Sequence, residues 1–400
     1  MPRRDFFLSN FRRTDLLFRI FRLFPDAIRR RLLAAYISRS ELKASENLCP
    51  DRMTLFLTCQ CNLKCAHCFI AKEASAHSEM MTLEEYRRLF SSVCGEVSQA
   101  LFTGGEPTLR CDFADIVVAS SLEGQIPIAS IFSNGFHAML LAEQLEDILN
   151  RCNTCLHFQT SLDGPRAFHD HNRGIAGAFD RTVNAINRVQ ELARRYPSRF
   201  GRINVTTAIS KQNLPFLEAI CDIAMQTGAS PAFAFVRTAN DVYNLKNHSF
   251  KSAFAPEQHM ADGSPRFVAQ DFLTPEDMNR ALDVLHRRIW QHDPGRLSFN
   301  FNRVTLEIIR DMQATHSSPL SRECGMGYKD IVILPDGRVS RCEMLIASAD
   351  LRKHDFDLRH MIRSAQWRSY LDMTSGCYCT HDCGIGISMM KEMALLKRLI

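Results

Sequence analysis

Cys61-Asn62-Leu63-Lys64-Cys65-Ala66-His67-Cys68 is the stretch on which the reading of this chain turns. It follows Met53, Leu55 and Leu57, which alternate as one strand would. Three cysteines spaced C-x3-C-x2-C on one short loop can hold three corners of a cubane iron–sulfur cluster. The fourth iron would then lack a protein ligand, and an open metal position lets a small molecule coordinate and react. Zinc competes as a reading. A structural zinc ion wants a fourth ligand, for which Cys59 and His67 are near in sequence.

The rest of the chain agrees with metal. Its 400 residues hold 15 cysteines, an odd number that fits poorly with a fully paired disulfide framework. The N-terminus opens on Arg3, Arg4 and Asp5 with no apolar run after them, so no signal peptide is expected. Nor is there an apolar run of about 18 residues to cross a membrane. These features point to a reducing, cytoplasmic setting, where clustered cysteines are metal ligands or reactive thiols before they are disulfides. Lys and Arg total 49 against 44 Asp and Glu, and +5 is too mild to argue for nucleic acid.

From about residue 51 to 236, short apolar strands alternate with helical stretches. After the first strand come candidates at 99–102, 129–132, 155–160, 202–209 and 231–236. A helix starts near Thr82, with Glu84 and Glu85 in its first turn, and others span 137–150, 179–196 and 214–227. Six such repeats predict an α/β fold with a parallel sheet, open or partly closed into a barrel. Chemistry in such folds gathers at the carboxyl ends of the strands. Expected divisions are a basic helical segment at 1–48, the barrel at 49–270, a helical connector at 271–320, a cysteine-rich unit at 321–386 and a terminal helix at 387–400.

Gly104-Gly105-Glu106-Pro107 follows the second strand, 36 residues after Cys68. With the cysteine loop, it resembles the radical S-adenosylmethionine (SAM) superfamily, whose fold is a partial (β/α)6 TIM-like barrel. The resemblance covers residues 54–236. It implies a [4Fe–4S] cluster on Cys61, Cys65 and Cys68, and SAM held partly by Gly104, Gly105 and Glu106. Glycines allow close backbone approach, and a carboxylate can accept from an ammonium. Ser133-Asn134-Gly135 ends the third strand and Ser161-Leu162-Asp163-Gly164-Pro165 the fourth, continuing to His169-Asp170 and Arg173-Gly174. By the same resemblance Asn134, Ser161 and Arg173 are SAM contacts. Read from the residues alone, Asn134-Gly135 and Asp163-Gly164 are turn residues. The chemistry implied is reductive cleavage of SAM to a 5′-deoxyadenosyl radical that abstracts a substrate hydrogen, with an electron donor such as flavodoxin or ferredoxin.

Cys324, Gly337 and Cys342 open a second group, with Cys377, Cys379 and Cys383 after them. This resembles the SPASM or shorter "twitch" extension of radical SAM enzymes. Ile331, Ile333 and Leu334, a Pro335-Asp336-Gly337 turn and Val339 read as a hairpin that brings Cys324 and Cys342 toward one metal. The motif of a full SPASM unit has seven cysteines for two clusters; five follow residue 320 here, enough for one second [4Fe–4S] cluster. Cys324, Cys342, Cys379 and Cys383 are its expected ligands, with Cys377 and zinc as alternatives. Cys49, Cys94, Cys111, Cys152, Cys155 and Cys221 lack ligand spacing and are expected to be small buried hydrophobes.

The first 48 residues combine Leu16, Leu17, Ile20, Phe21 and Phe24 with Arg12, Arg13, Arg19, Arg22 and Arg29–Arg31, divided at Pro25. A basic amphipathic helix of this kind lies on an anionic membrane surface, meets a partner, or packs on the main domain. A peripheral membrane contact through residues 1–45 is therefore one expectation. Many relatives with such extensions modify peptides. No peptide-recognition domain of ~80–90 residues precedes the barrel, which tilts the expected substrate toward a small molecule such as a sugar or lipid-linked precursor. A peptide substrate and a non-catalytic iron–sulfur or zinc scaffold are the alternatives.

Overall fold

Arg52–Phe56 forms strand β1, in which every side chain after the first is buried. Such a strand suits a parallel sheet covered on both faces. β1 pairs in parallel with β2 (Gln99–Thr103), and the parallel ladder continues through β3 (Ile128–Phe132), β4 (Cys155–Ser161), β5 (Phe200–Ile209) and β6 (Ser230–Phe235). Helices α1 (Leu83–Ser92), α2 (Phe113–Leu122), α3 (Ala138–Arg151), α4 (Arg166–Arg173), α5 (Ala178–Arg195) and α6 (Leu217–Gln226) connect them. The expected partial (β/α)6 TIM-like barrel is what forms. The computed structural model describes residues 49–68, 79–236, 272–293, 296–317, 324–343, 345, 347–373 and 381–389, with eight positions between 20 and 32.

Local chemistry explains the boundaries. Thr82 caps α1 in a reciprocal box: its hydroxyl accepts the Glu85 N–H, and the Glu85 carboxylate accepts the Thr82 N–H. The helix expected over 214–227 divides into a 3₁₀ turn at Leu214–Phe216 and then α6. After the barrel come α7 (Pro275–Arg288) and α8 (Leu297–Thr315). These pack with α6 against Ile209, Phe233 and Phe235 to form a second core.

The cysteine-rich unit adds strands to the same sheet. β7 (Asp330–Ile333) lies parallel to β1 on the edge away from β2, and β8 (Arg338–Ser340) and β9 (Ala349–Asp350) continue antiparallel. The predicted hairpin turn is present, with Gly337 at φ +85°, a left-handed conformation that favours glycine. Buried Asp330 joins the two units by accepting from Arg52 Nε at 2.7 Å and from Thr54 Oγ1 at 3.1 Å. Helices α9 (Leu358–Ile362), α10 (Ala365–Met373) and α11 (Asp382–Met389) complete the described chain.

Some expectations fall elsewhere. Cys49, Cys152 and Cys221 are buried as foreseen, but Cys111 is exposed and Cys94 and Cys155 are half-buried. Cys377, Cys379, residues 237–271, most of residues 1–48 and all but the first three residues of the terminal helix expected at 387–400 lie outside the described residues. Within the N-terminal segment, Ile20, Leu23, Phe24, Ile28 and Leu32 are exposed.

Candidate active site

The cysteine loop leaves the carboxyl end of β1 and is held from two sides. On one side the strand pairing runs on into the Gly-Gly-Glu turn: Gly105 N–H donates to Thr58 O at 2.7 Å, and Glu106 N–H to Gln60 O at 2.8 Å. A Cβ on Gly104 would lie 2.3 Å from Thr58 O, and one on Gly105 would lie 2.2 Å from Gln60 O. Only glycine fits at this distance. On the other side, Lys64 and Ala66 N–H donate to the carbonyls of Arg173 and Asn172 at the end of α4. Gly174, at φ +70°, lets that helix end approach Lys64.

Glu106 is 1% exposed, and four protein donors occupy its carboxylate. Thr108 N–H, Thr108 Oγ1 at 2.6 Å and Ser133 Oγ at 2.9 Å donate to one oxygen; Asn134 N–H, at 2.7 Å, donates to the other. Burial pushes this carboxyl up from its ordinary value, and the four hydrogen bonds oppose that shift. Its carboxylate thus fastens the end of β2 to the end of β3. Asn134, so fixed, donates from Nδ2 to Asn62 Oδ1 at 2.8 Å and toward Cys61 Sγ at 3.8 Å. Ser161 lies half-buried at the last position of β4, on the same edge of the sheet.

Arg173 is brought to the cysteine loop itself. Its guanidinium forms an ion pair with Asp163 at 2.6 Å and donates to Cys65 Sγ at 3.5 Å. Asp163 is fully buried, accepts from Asn172 Nδ2, and lies 4.0 Å from His67 Nε2. His169 Nδ1 accepts the Asp163 N–H at 3.1 Å. Burial favours the neutral forms of His67 and His169, lowering the latter to about 4. Sequence reasoning took Asp163-Gly164 for a turn and missed this polar cluster. The signal for it was His169 and Arg173 on one short helix, which close on Asp163 only after folding.

These residues suit a cubane cluster. Backbone and side-chain N–H groups of Leu63, Asn134 and Arg173 point at the sulfurs of Cys61 and Cys65, as they would at cluster thiolates. Cys61 and Cys65 flank one apolar group, with Leu63, Phe136 and Ala178; Cys68 flanks another, with Phe56, Cys59 and Val332. Among the described residues no three His, Cys, Asp or Glu side chains converge on a single ion position.

Cys324 and Cys342, like Cys68, pack against the second apolar group, which includes Met326, Val332 and Leu334. Buried Arg341 holds the chain there by donating to the carbonyls of Met326, Leu371 and Cys324. Beside Cys342 stands His381, a residue the sequence reading passed over.

Residues 55–207 match the model of the Radical SAM superfamily. The Fe-coproporphyrin III synthase of Methanosarcina barkeri is 32% identical over 169 residues, 42% of this chain and 39% of that protein. The sporulation killing factor maturation protein SkfB of Bacillus subtilis is 29% identical over 297 residues, 74% of this chain and 60% of that protein. The chain thus spans less than two thirds of the length of either relative. Among solved structures, anSMEcpe with bound AdoMet shares the fold at TM-score 0.54 and 18% identity, over 82% of this chain and 84% of that one. Streptococcus suis SuiB bound to S-adenosylmethionine does so at 0.51 and 14%, over 76% and 63%. Residues 55–207 thus carry a Radical SAM superfamily domain, and this domain includes the loop with Cys61, Cys65 and Cys68.

Proposed function

We propose that this chain cleaves SAM reductively at the Cys61–Cys65–Cys68 loop and uses the radical to modify a peptide side chain. The observation that carries the cleavage is the loop's setting: three thiols at the carboxyl edge of β1, with Asn134 and Arg173 donating to two of them. When bound there, a [4Fe–4S] cluster supplies the electron that splits SAM into methionine and a 5′-deoxyadenosyl radical. Arg173, charged and paired with Asp163, offsets the negative charge on Cys65. Glu106 holds Asn134 and the Gly105 backbone in position, and these with Gly104, Ser161 and the sheet edge bind and orient SAM. Apolar Phe136, Leu63 and Ala178 exclude water beside Cys61 and Cys65. Cys324 and Cys342, with Cys379 and Cys383, would hold a second [4Fe–4S] cluster, which would supply an acceptor for the electron left on the substrate. A flavodoxin or ferredoxin is the electron donor.

The peptide substrate rests on reach of similarity. The match to SkfB covers 74% of this chain, well beyond the 55–207 domain. A structure of anSMEcpe with AdoMet and the Cp18Cys peptide shares the fold at TM-score 0.53. A small substrate, sugar or lipid-linked as the sequence suggested, is the second reading. Relatives named Fe-coproporphyrin III synthase and AdoMet-dependent heme synthase favour it, over 42–43% of the chain. The test is anaerobic: reconstituted, reduced protein is expected to convert SAM to 5′-deoxyadenosine and methionine, and Cys65→Ala to abolish this. Equal turnover by Cys65→Ala would overturn the assignment.

A further inference from the structure

We infer that a small acidic electron-carrier protein docks on the rim around Phe136, with Leu109, Met139 and Leu140 as its apolar footing and Lys64 and Arg181 as its charges. The inference rests on the reading above, because reductive cleavage of SAM consumes one electron that comes from outside the chain. Electron transfer falls steeply with distance, so a carrier must meet the surface where the thiols lie close beneath it.

Phe136 marks such a place. It is buried and packs with Leu63 and Ala178 in one apolar group, against which Cys61, Cys65 and Ile175 lie. Arg181, an exposed residue near the start of α5, holds its guanidinium 4.2 Å from the centre of the Phe136 ring. One thin apolar group therefore lies between a surface cation and two of the thiols. Lys64 is a second exposed cation. A Cβ on Gly174 would lie 3.0 Å from Lys64 Cβ, so this lysine stands one residue from Ile175 of the same group.

The apolar footing adjoins these charges. Two residues after Phe136 the chain enters α3, whose first turn exposes Met139 and Leu140. Gln144, one turn beyond Leu140, donates to Thr108 O at 3.1 Å, which brings the short 3₁₀ turn Pro107–Leu109 and exposed Leu109 alongside. An exposed apolar patch edged by charge has the makeup of an interface, and cations at its edge match an acidic partner. The nearby acids are mostly answered within the chain. Asp180 pairs with Arg166, and Asp170 accepts the N–H groups of Gly177 and Phe179. Glu143, exposed one turn beyond Met139, is the acid left at the border. Contacts between redox partners are small and brief, so a few residues suffice to make one.

The test uses the reconstituted full chain and a flavodoxin as the carrier, with dithionite as a reductant that needs no docking. The wild type is expected to bind flavodoxin, and to bind it less well as salt rises. Arg181→Glu/Met139→Glu is expected to raise the Kd at least about tenfold at low salt and to slow flavodoxin-driven cleavage of SAM. Its dithionite-driven cleavage is expected to match the wild type. Glu143→Lys is expected to tighten binding. A control, Leu122→Glu/Arg194→Glu, puts equal charge on exposed residues at the other ends of α2 and α5, about 20 Å away along α5. It is expected to bind as the wild type does. No binding by the wild type, unchanged binding by the Arg181/Met139 variant, or equal weakening by the control would overturn the inference and leave the cleavage reading standing. No cleavage by the wild type with dithionite would overturn both.

Discussion

One guanidinium nitrogen of Arg173 lies 2.6 Å from the carboxylate of Asp163, and another lies 3.5 Å from the sulfur of Cys65. Asp163 is fully enclosed. Burial pushes its carboxyl up, but Arg173, the two histidines and the Ala208 N–H outweigh this and hold it below its ordinary value. Both partners are thus charged, and deleting one strands the other. Asp163→Ala is expected to cost about 3–5 kcal/mol in urea unfolding, and the Asp163→Ala/Arg173→Met pair less than the sum of its single changes. Arg173→Met should also lower the reduction potential of the cluster on Cys65, because a positive charge beside its thiolate is gone. Additive costs and an unchanged potential would show the pair to be ordinary packing.

Gly105 has no positive φ, so its need for glycine is steric alone. Its Cβ would meet backbone that cannot swing away, at 2.2 Å from Gln60 O. Gly105→Ala should therefore destabilise by about 1–3 kcal/mol and displace the cysteine loop, with iron loading falling. Gly177 offers the contrast, at φ +79° with nothing within 4 Å of a Cβ. Gly177→Ala should cost about 1 kcal/mol through backbone strain and leave iron loading intact. Iron and unfolding measurements on both variants decide it.

The barrel was legible because each strand and helix carries its own period. The apolar run at Met53–Leu57 and the helix start at Thr82 are local facts, and both elements reappear with boundaries moved by a residue or two, although β1 is buried on successive and not alternate residues. What the sequence could not show was pairing between distant segments. Asp330 looks like an ordinary strand-edge acid until β7 lies beside β1 and Arg52 reaches it. Asp163, in a Leu-Asp-Gly-Pro stretch, carries every mark of a turn, and only the return of α4 across the cysteine loop buries it. Glu106 was found by motif, but its occupation by Thr108, Ser133 and Asn134 depends on two strand ends meeting. The α4 helix itself was missed, being only eight residues long.

Two cysteine groups on separate segments predict two clusters. Anaerobically reconstituted protein should carry about eight iron atoms, and the Cys61/Cys65/Cys68→Ala variant about four. Iron assay and absorbance of matched samples give the answer, and zinc as sole metal would refute it.

The basic N-terminal segment is proposed to meet an anionic surface. Ile20, Leu23, Phe24, Ile28 and Leu32 are exposed, and arginines from Arg12 to Arg31 surround them in sequence. Each arginine near an anionic bilayer contributes about 1 kcal/mol, screened over a Debye length of about 8–10 Å. Full-length protein should sediment with anionic vesicles and release as salt rises, while neutral vesicles should not hold it. If both vesicle types fail to bind and deletion of residues 1–45 lowers the melting temperature, the segment is structural.

His169 makes stability depend on pH in a calculable direction. Its ring is 1% exposed, Nδ1 accepts the Asp163 N–H, and burial, aided by Arg173, lowers it from 6.5 to about 4 against the opposing pull of Asp163 and Asp170. The folded chain therefore holds it neutral where the unfolded chain binds a proton. Its contribution is fully present above pH 6.5 and is lost as pH falls toward 4, reaching about 2 kcal/mol by pH 5. Carboxylates titrate over the same interval, so a variant must isolate the histidine. His169→Gln keeps an acceptor for the Asp163 N–H and has no proton to gain. In metal-free samples, which remove acid lability of a cluster from the comparison, the wild type should lose about 2 kcal/mol more than His169→Gln between pH 7 and pH 5. Equal losses in urea unfolding would mean that His169 is protonated in the folded protein, and that its hydrogen bond with Asp163 runs differently from the one described.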